Sequence, residues 1–137
     1  MKRSYLLLVV LFLGFAKQSQ AQDAALNSKL LRFYESLAER DALYEQNLRL
    51  DHQDELDYWT DQENFERELG KSNFSFYLVY MKSKKEAHRS YLQQCDGSCQ
   101  HSDVYWTKMR NYLSTPDISE VFNFETGEVV QSVVKKE

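Results

Sequence analysis

Between Gln22 and Gly70 the apolar residues Leu30, Leu37, Tyr44, Tyr58 and Phe65 recur every seven residues or at twice that interval, and Leu26, Tyr34, Leu48 and Leu69 widen the row. Seven residues are close to two turns of an α-helix, so the row predicts an amphipathic helical face. The position it skips is Asp51, which opens Asp51-His52-Gln53-Asp54-Glu55-Leu56-Asp57, where Leu56 is the one apolar residue. A single helix running to Leu69 would be about 70 Å long at about 1.5 Å per residue. That is long for a small domain, and a bend or break is expected within 51–57. Thr60-Asp61-Gln62-Glu63 has the form of a capping box and predicts a new helix start, with Gly70 as a left-handed stop.

Ser72 or Asn73 can cap the next helix, expected over 73–94, with Phe74, Tyr77, Leu78, Met81, Ala87, His88, Tyr91, Leu92 and Cys95 on its apolar face. Residues 74–81 are rich enough in aromatics to suit a buried strand as well. Ser102 or Asp103 can start a helix that carries Val104, Tyr105, Trp106, Met109, Tyr112 and Leu113. Pro116 ends it by disfavouring helical geometry at Thr115. Beyond it Val121, Phe122, Phe124, the turn-forming Thr126-Gly127 and Val129, Val130, Val133 and Val134 read as a hairpin. An isolated hairpin is marginal in water, so it must pack on the helices or gain a third strand.

The fold expected is therefore mainly α, a small domain of three or four helices with a short C-terminal β-hairpin. The alternative is an α+β fold whose three-stranded sheet uses 74–81. Residues 22–115 form the helical part, and 116–137 the hairpin or tail packed on it.

Residues 1–21 read as a cleavable signal peptide: Lys2 and Arg3, an apolar run from Tyr5 to Ala16, then Ser19-Gln20-Ala21 as a small-x-small cleavage site. An apolar run of about a dozen residues falls short of the about 20 that cross a bilayer, so no transmembrane span is expected. The localisation this implies is secreted or periplasmic. Removing Lys2, Arg3 and Lys17 moves the formal charge from −4 to −7, which argues against nucleic acid as a partner. The charge is unevenly spread: net −8 over 23–70, +4 over 71–115 and −3 over 116–137. Complementary packing of the acidic first half against the basic middle accounts for this, ahead of a basic face kept for an anionic ligand.

Cys95-Asp96-Gly97-Ser98-Cys99 holds the two cysteines of the chain. In an exported protein this spacing predicts a disulfide between Cys95 and Cys99. It lacks the C-x-x-C spacing of thioredoxin-type redox sites, and a structural staple is expected. Asp51, His52, Asp54 and Glu55 form the best metal-binding candidate, because hard cations take several carboxylate oxygens. They miss the calcium-loop pattern, and a solvated acidic face ranks above a site. His52, His88 and His101 show neither H-E-x-x-H nor E-x-x-H spacing, and no G-x-S-x-G occurs. Glu35-Ser36 lacks the glycine-rich continuation of lytic transglycosylases. A carboxylate pair for glycoside cleavage depends on spatial separation, which sequence does not give. No cofactor is implied. Asn73-Phe74-Ser75 has the form of an N-glycosylation sequon.

Tyr58-Trp59 and Tyr105-Trp106 are adjacent aromatic pairs whose members cannot all face one core. Tyr58, Trp59, Tyr105 and Trp106 are thus the candidate binding residues, since such side chains favour interfaces. The leading expectation is an exported, non-enzymatic binding protein for an envelope or extracellular protein or glycan. A small metal-dependent or carboxylate-based hydrolase is the first alternative, and an oligomer-forming structural helical protein the second.

Overall fold

The computed structural model describes the backbone of residues 2–117, 119 and 122–129, with side chains from Asp23 onward and excluding Val129. Four helices, α1 (Lys2–Gln46), α2 (His52–Ser72), α3 (Phe74–Gln94) and α4 (Asp103–Ser114), precede β1 (Phe122–Asn123) and β2 (Glu128–Val129). The mainly helical expectation holds, and 74–81 is the start of α3 rather than a strand. Its aromatic density follows from position: α3 is the central helix, packed on α1, α2 and α4. Among the described residues no helix is long and apolar enough to cross a membrane.

The break in the first half lies just before the acidic run. α1 ends at Gln46, where Asn47 and Leu48 N–H donate to the carbonyls of Tyr44 and Glu45. Asp51 then caps α2, its Oδ1 accepting from the N–H of Gln53 and Asp54 at 3.0 Å each. With that cap in place, 51–57 becomes the first turn of a continuous helix. The expected start at Thr60 is therefore incorrect: Thr60 lies inside α2, and its hydroxyl donates back to Leu56 O at 2.8 Å. Gly70 does not stop the helix either. α2 runs through it to Ser72, because Asn73 N–H closes on Leu69 O at 2.8 Å and supplies the ending. The same Asn73 begins α3 by accepting from Phe76 N–H at 3.1 Å. Ser102 caps α4 likewise, accepting from Tyr105 N–H at 3.0 Å.

The buried row is displaced by one residue from the expected one. Leu31, Ala38, Glu45, Trp59 and Glu66 lie inside at seven-residue spacing or, across the α1–α2 turn, twice that, whereas Tyr44 and Phe65 of the expected row are exposed. The core has two parts. Leu31, Ala38, Leu69, Phe76, Val79, Tyr80 and Phe122 form one, and Trp59, Tyr105, Met109 and Tyr112 the other.

The hairpin is described over its two innermost pairs. Phe122 pairs with Val129 and Asn123 with Glu128, while Val121, Val130, Val133 and Val134 lie outside the described residues. It is fastened to the helices as expected: Ser75 Oγ donates to Gly127 O at 2.6 Å and Asn27 Nδ2 to Thr126 O at 2.9 Å. Gly127 has φ +73, and a Cβ there would come within 3.3 Å of Leu31, so backbone and space both call for glycine. The disulfide Cys95–Cys99 is formed and closes the turn between α3 and α4. Gly97 within it has φ +87. Hydrogen bonds from Ser98 hold the Asp96 carboxyl below its usual range.

Candidate functional site

Two polar features meet at Glu45. The first is a charged cluster inside the bundle. Lys84 and Glu45 are both 0% exposed. Lys84 projects from α3 between the two halves of the core, 4.7 Å from the Tyr112 ring centroid and 5.5 Å from that of Tyr80. Its ammonium donates to Glu45 Oε1 of α1 at 2.7 Å and to Glu66 Oε1 of α2 at 2.9 Å. His88, one turn further along α3, donates from Nε2 to Glu45 Oε2 at 2.7 Å.

Tyrosines complete the set. Tyr58 OH donates to Glu45 Oε1 at 3.1 Å, Tyr112 OH to Glu66 Oε1 at 2.7 Å, and Tyr80 OH to Asp41 Oδ2 at 2.6 Å while accepting from Gln62 Nε2 at 2.6 Å. Burial and the neighbouring carboxylates push the hydroxyls of Tyr58, Tyr80 and Tyr112 far above the ordinary tyrosine range. Glu45 and Glu66 are thus each met by the Lys84 cation and by a tyrosine hydroxyl, which is the condition for burying charge. The basic middle of the chain does meet the acidic first half, as the charge pattern implied, and the decisive contacts are inside.

The second feature is a cavity of about 290 Å³ at the α1–α2 turn, lined by Glu45, Leu48, Arg49, Leu50, Glu55, Gln100, His101, Ser102 and Tyr105. Three of these residues follow directly on the disulfide loop, so Cys95–Cys99 sets where they stand. Glu55 is buried, and Trp59 Nε1 and Ser102 Oγ both donate to its Oε1, at 3.3 and 2.5 Å. His101 stacks on Tyr105 with centroids 3.9 Å apart and hydrogen-bonds Tyr91 OH through Nε2 at 2.8 Å. Burial, then the nearby Arg49 and His88, lowers the His101 pKa. Among the described residues, two buried side-chain polar atoms have no hydrogen-bond partner, Tyr105 OH and His88 Nδ1. The two rings touch edge to face, with centroids 6.1 Å apart.

The residues singled out from sequence are redistributed by this geometry. Trp59 and Tyr105 are each 1% exposed and belong to the core, so they cannot form an exposed aromatic surface. Their partners Tyr58 and Trp106 are half-buried, which is the split that adjacent helical positions require. The four metal candidates, three carboxylates and His52, are not gathered around a point. Asp51 is occupied as a helix cap, His52 and Asp54 are exposed, and Glu55 turns inward. Among the described residues no group of three His, Cys, Asp or Glu is arranged to hold a metal ion. Asn73 of the sequon is half-buried in its cap.

Glu45, Glu66 and Lys84 were missed because polar residues carry no weight in a search for apolar periodicity. The usable signal was that Leu31, Ala38 and Glu45 keep the seven-residue interval, as do Trp59 and Glu66. Comparison with protein-family models, with curated proteins and with solved structures gives no match to this chain.

Proposed function

We propose that the chain is an exported, non-enzymatic binding protein that captures a cationic protein partner on the side formed by α1 and α2. The carrying observation is a strip of apolar side chains left on the surface there. Leu26, Phe33 and Tyr44 are exposed and lie seven and eleven residues apart, close to whole numbers of helical turns, so they share one side of α1. Tyr44 meets Tyr58 of α2 with ring centroids 5.3 Å apart, and Phe65, seven residues beyond Tyr58, is exposed in turn. The strip therefore continues from one helix to the next, and Tyr58 of the candidate set lies at the crossing.

Exposed aromatic and aliphatic groups in a row favour macromolecular contact, and aliphatic Leu26 suits a protein better than a glycan. With the buried Glu45, Glu55 and Glu66 set aside, residues 23–70 still carry a net charge of −5, which favours a basic partner. The chemical alternative is weakened by the burial of Lys84, Glu45 and Glu66, whose charges are spent on one another.

The test is affinity capture from the extracellular or envelope fraction with wild type and with a Tyr44→Ser/Phe65→Ser double variant of unchanged helical circular dichroism. A partner retained by wild type, released by salt and lost from the variant is the expected result. Retention of the same partner by the variant overturns the reading. The strip also suits self-association, since seven-residue apolar spacing pairs helices. Light scattering separates the two: a stable dimer that the double variant dissolves would put a second copy on this face.

A further inference from the structure

We propose that the cavity at the α1–α2 turn binds a small zwitterion, a neutral amino acid or a short peptide carrying both an ammonium and a carboxylate group. This goes beyond the partner surface above and does not depend on it.

The cavity carries opposite charges that are not spent on each other. Glu55 and Arg49 both line it, and among the described residues they form no ion pair. Trp59 and Ser102 both donate to Glu55 Oε1, and no described side chain or backbone N–H reaches Oε2. Among the described residues the Arg49 guanidinium has one hydrogen bond, to the neighbouring Leu48 carbonyl at 2.6 Å. A carboxylate with a free oxygen recognises an ammonium. A guanidinium offers paired donors that fit a carboxylate.

Tyr105 supplies an aromatic part of the cavity wall. The residue is 1% exposed, and its hydroxyl, which has no partner among the described residues, is closed off from solvent. Leu48 and Leu50 supply an apolar wall for a short aliphatic side chain. At about 290 Å³ the space is at the small end of ligand-sized pockets. A single amino acid suits it and a long peptide does not.

The chemistry separates this ligand from its neighbours. A simple amine would leave Arg49 unmet, a simple acid would leave Glu55 unmet, and a neutral sugar would use neither charge.

The experiment is isothermal titration calorimetry on the full secreted-length chain, residues 22–137. The probes are the neutral L-amino acids and dileucine, with isoamylamine and isocaproate as leucine analogues lacking one charge each. Saturable binding of at least one amino acid or dileucine is expected, with each single-charge analogue at least about tenfold weaker than leucine if leucine binds. Arg49→Ala, an exposed change that leaves the core intact, is expected to weaken binding by about tenfold or more, and Glu55→Gln likewise. Tyr44→Ser/Phe65→Ser is expected to leave it unchanged, which keeps this site distinct from the partner strip. Absence of saturable binding by every probe up to about 10 mM overturns the proposal. So does equal binding of isoamylamine or isocaproate, and so does full affinity in Arg49→Ala.

Discussion

Lys84 Nζ lies 2.7 Å from Glu45 Oε1, and neither side chain reaches solvent. With Glu66 on its other side, Lys84 ties α1 and α2 to the central helix through one ammonium group. Such an arrangement is costly to break and cheap to replace as a whole, because removing one partner strands the others without water. Lys84→Met is accordingly expected to destabilise the protein by about 3–5 kcal/mol, read as a large drop in the urea midpoint or outright failure to fold. Adding Glu45→Gln and Glu66→Gln to Lys84→Met should restore most of the loss. A small effect of Lys84→Met alone would show that the cluster tolerates solvent.

The local signals in the sequence were legible and the identity of the inward face was not. Asn73 and Ser102 were readable as caps because a short polar side chain next to a helical run has a local job, independent of the rest of the fold. The inward face depends on what three other helices present. Leu37 and Tyr44 look like core residues, yet the position one further along, Ala38 then Glu45, is where α3 approaches. Two small residues, Ala38 and Ala42, let the helices come close, and Lys84 makes Glu45 acceptable at the end of that row. Neither fact can be read from α1 alone. The cavity is equally non-local: Arg49, Glu55 and His101 come together only when the α1–α2 turn meets the exit of the disulfide loop.

The buried tyrosines predict a steep alkaline limit to stability. Burial, joined at all four by neighbouring carboxylates, raises the pKa of Tyr58, Tyr80, Tyr105 and Tyr112. In the unfolded chain each ionises near pH 10. A group raised in the folded state stabilises it fully below the unfolded pKa, and that stability is lost as pH climbs above it. Each such tyrosine removes about 1.4 kcal/mol per pH unit above about pH 10. Of the nine tyrosines in the full chain, these four should show no tyrosinate absorbance until a cooperative transition that coincides with loss of helical signal. Smooth titration of all of them in the folded protein would contradict their placement.

Gly70 offers a test of the corrected helix boundary. It lies inside α2, and a Cβ at this position would sit 3.5 Å from the Tyr77 ring, an ordinary contact distance. Glycine within a helix costs about 0.5–1 kcal/mol relative to alanine through its extra freedom when unfolded. Gly70→Ala should therefore raise thermal stability by an amount in that range, seen by calorimetry. Had Gly70 been a left-handed stop, the same substitution would lower it.

The disulfide carries a prediction that links stability to the cavity. Cys95–Cys99 closes a loop of five residues, with Gly97 at positive φ inside it. By loop-closure entropy such a bond contributes about 2 kcal/mol, so Cys95→Ser/Cys99→Ser should lower the urea midpoint modestly and leave the helical signal in place. The larger effect is expected at Gln100, His101 and Ser102, whose positions it sets. Ser102 caps α4 and donates to Glu55, while His101 covers Tyr105. Loosening the loop should therefore quicken amide exchange at residues 100–105 well before it affects α1 or α2. It should also bring the His101 pKa back up toward the ordinary histidine value, because burial is the main cause that lowers it. Nuclear magnetic resonance of the reduced and oxidised protein measures both. If exchange increases evenly along the chain, or the His101 titration does not move, the loop is a staple for the bundle as a whole and does not shape the cavity.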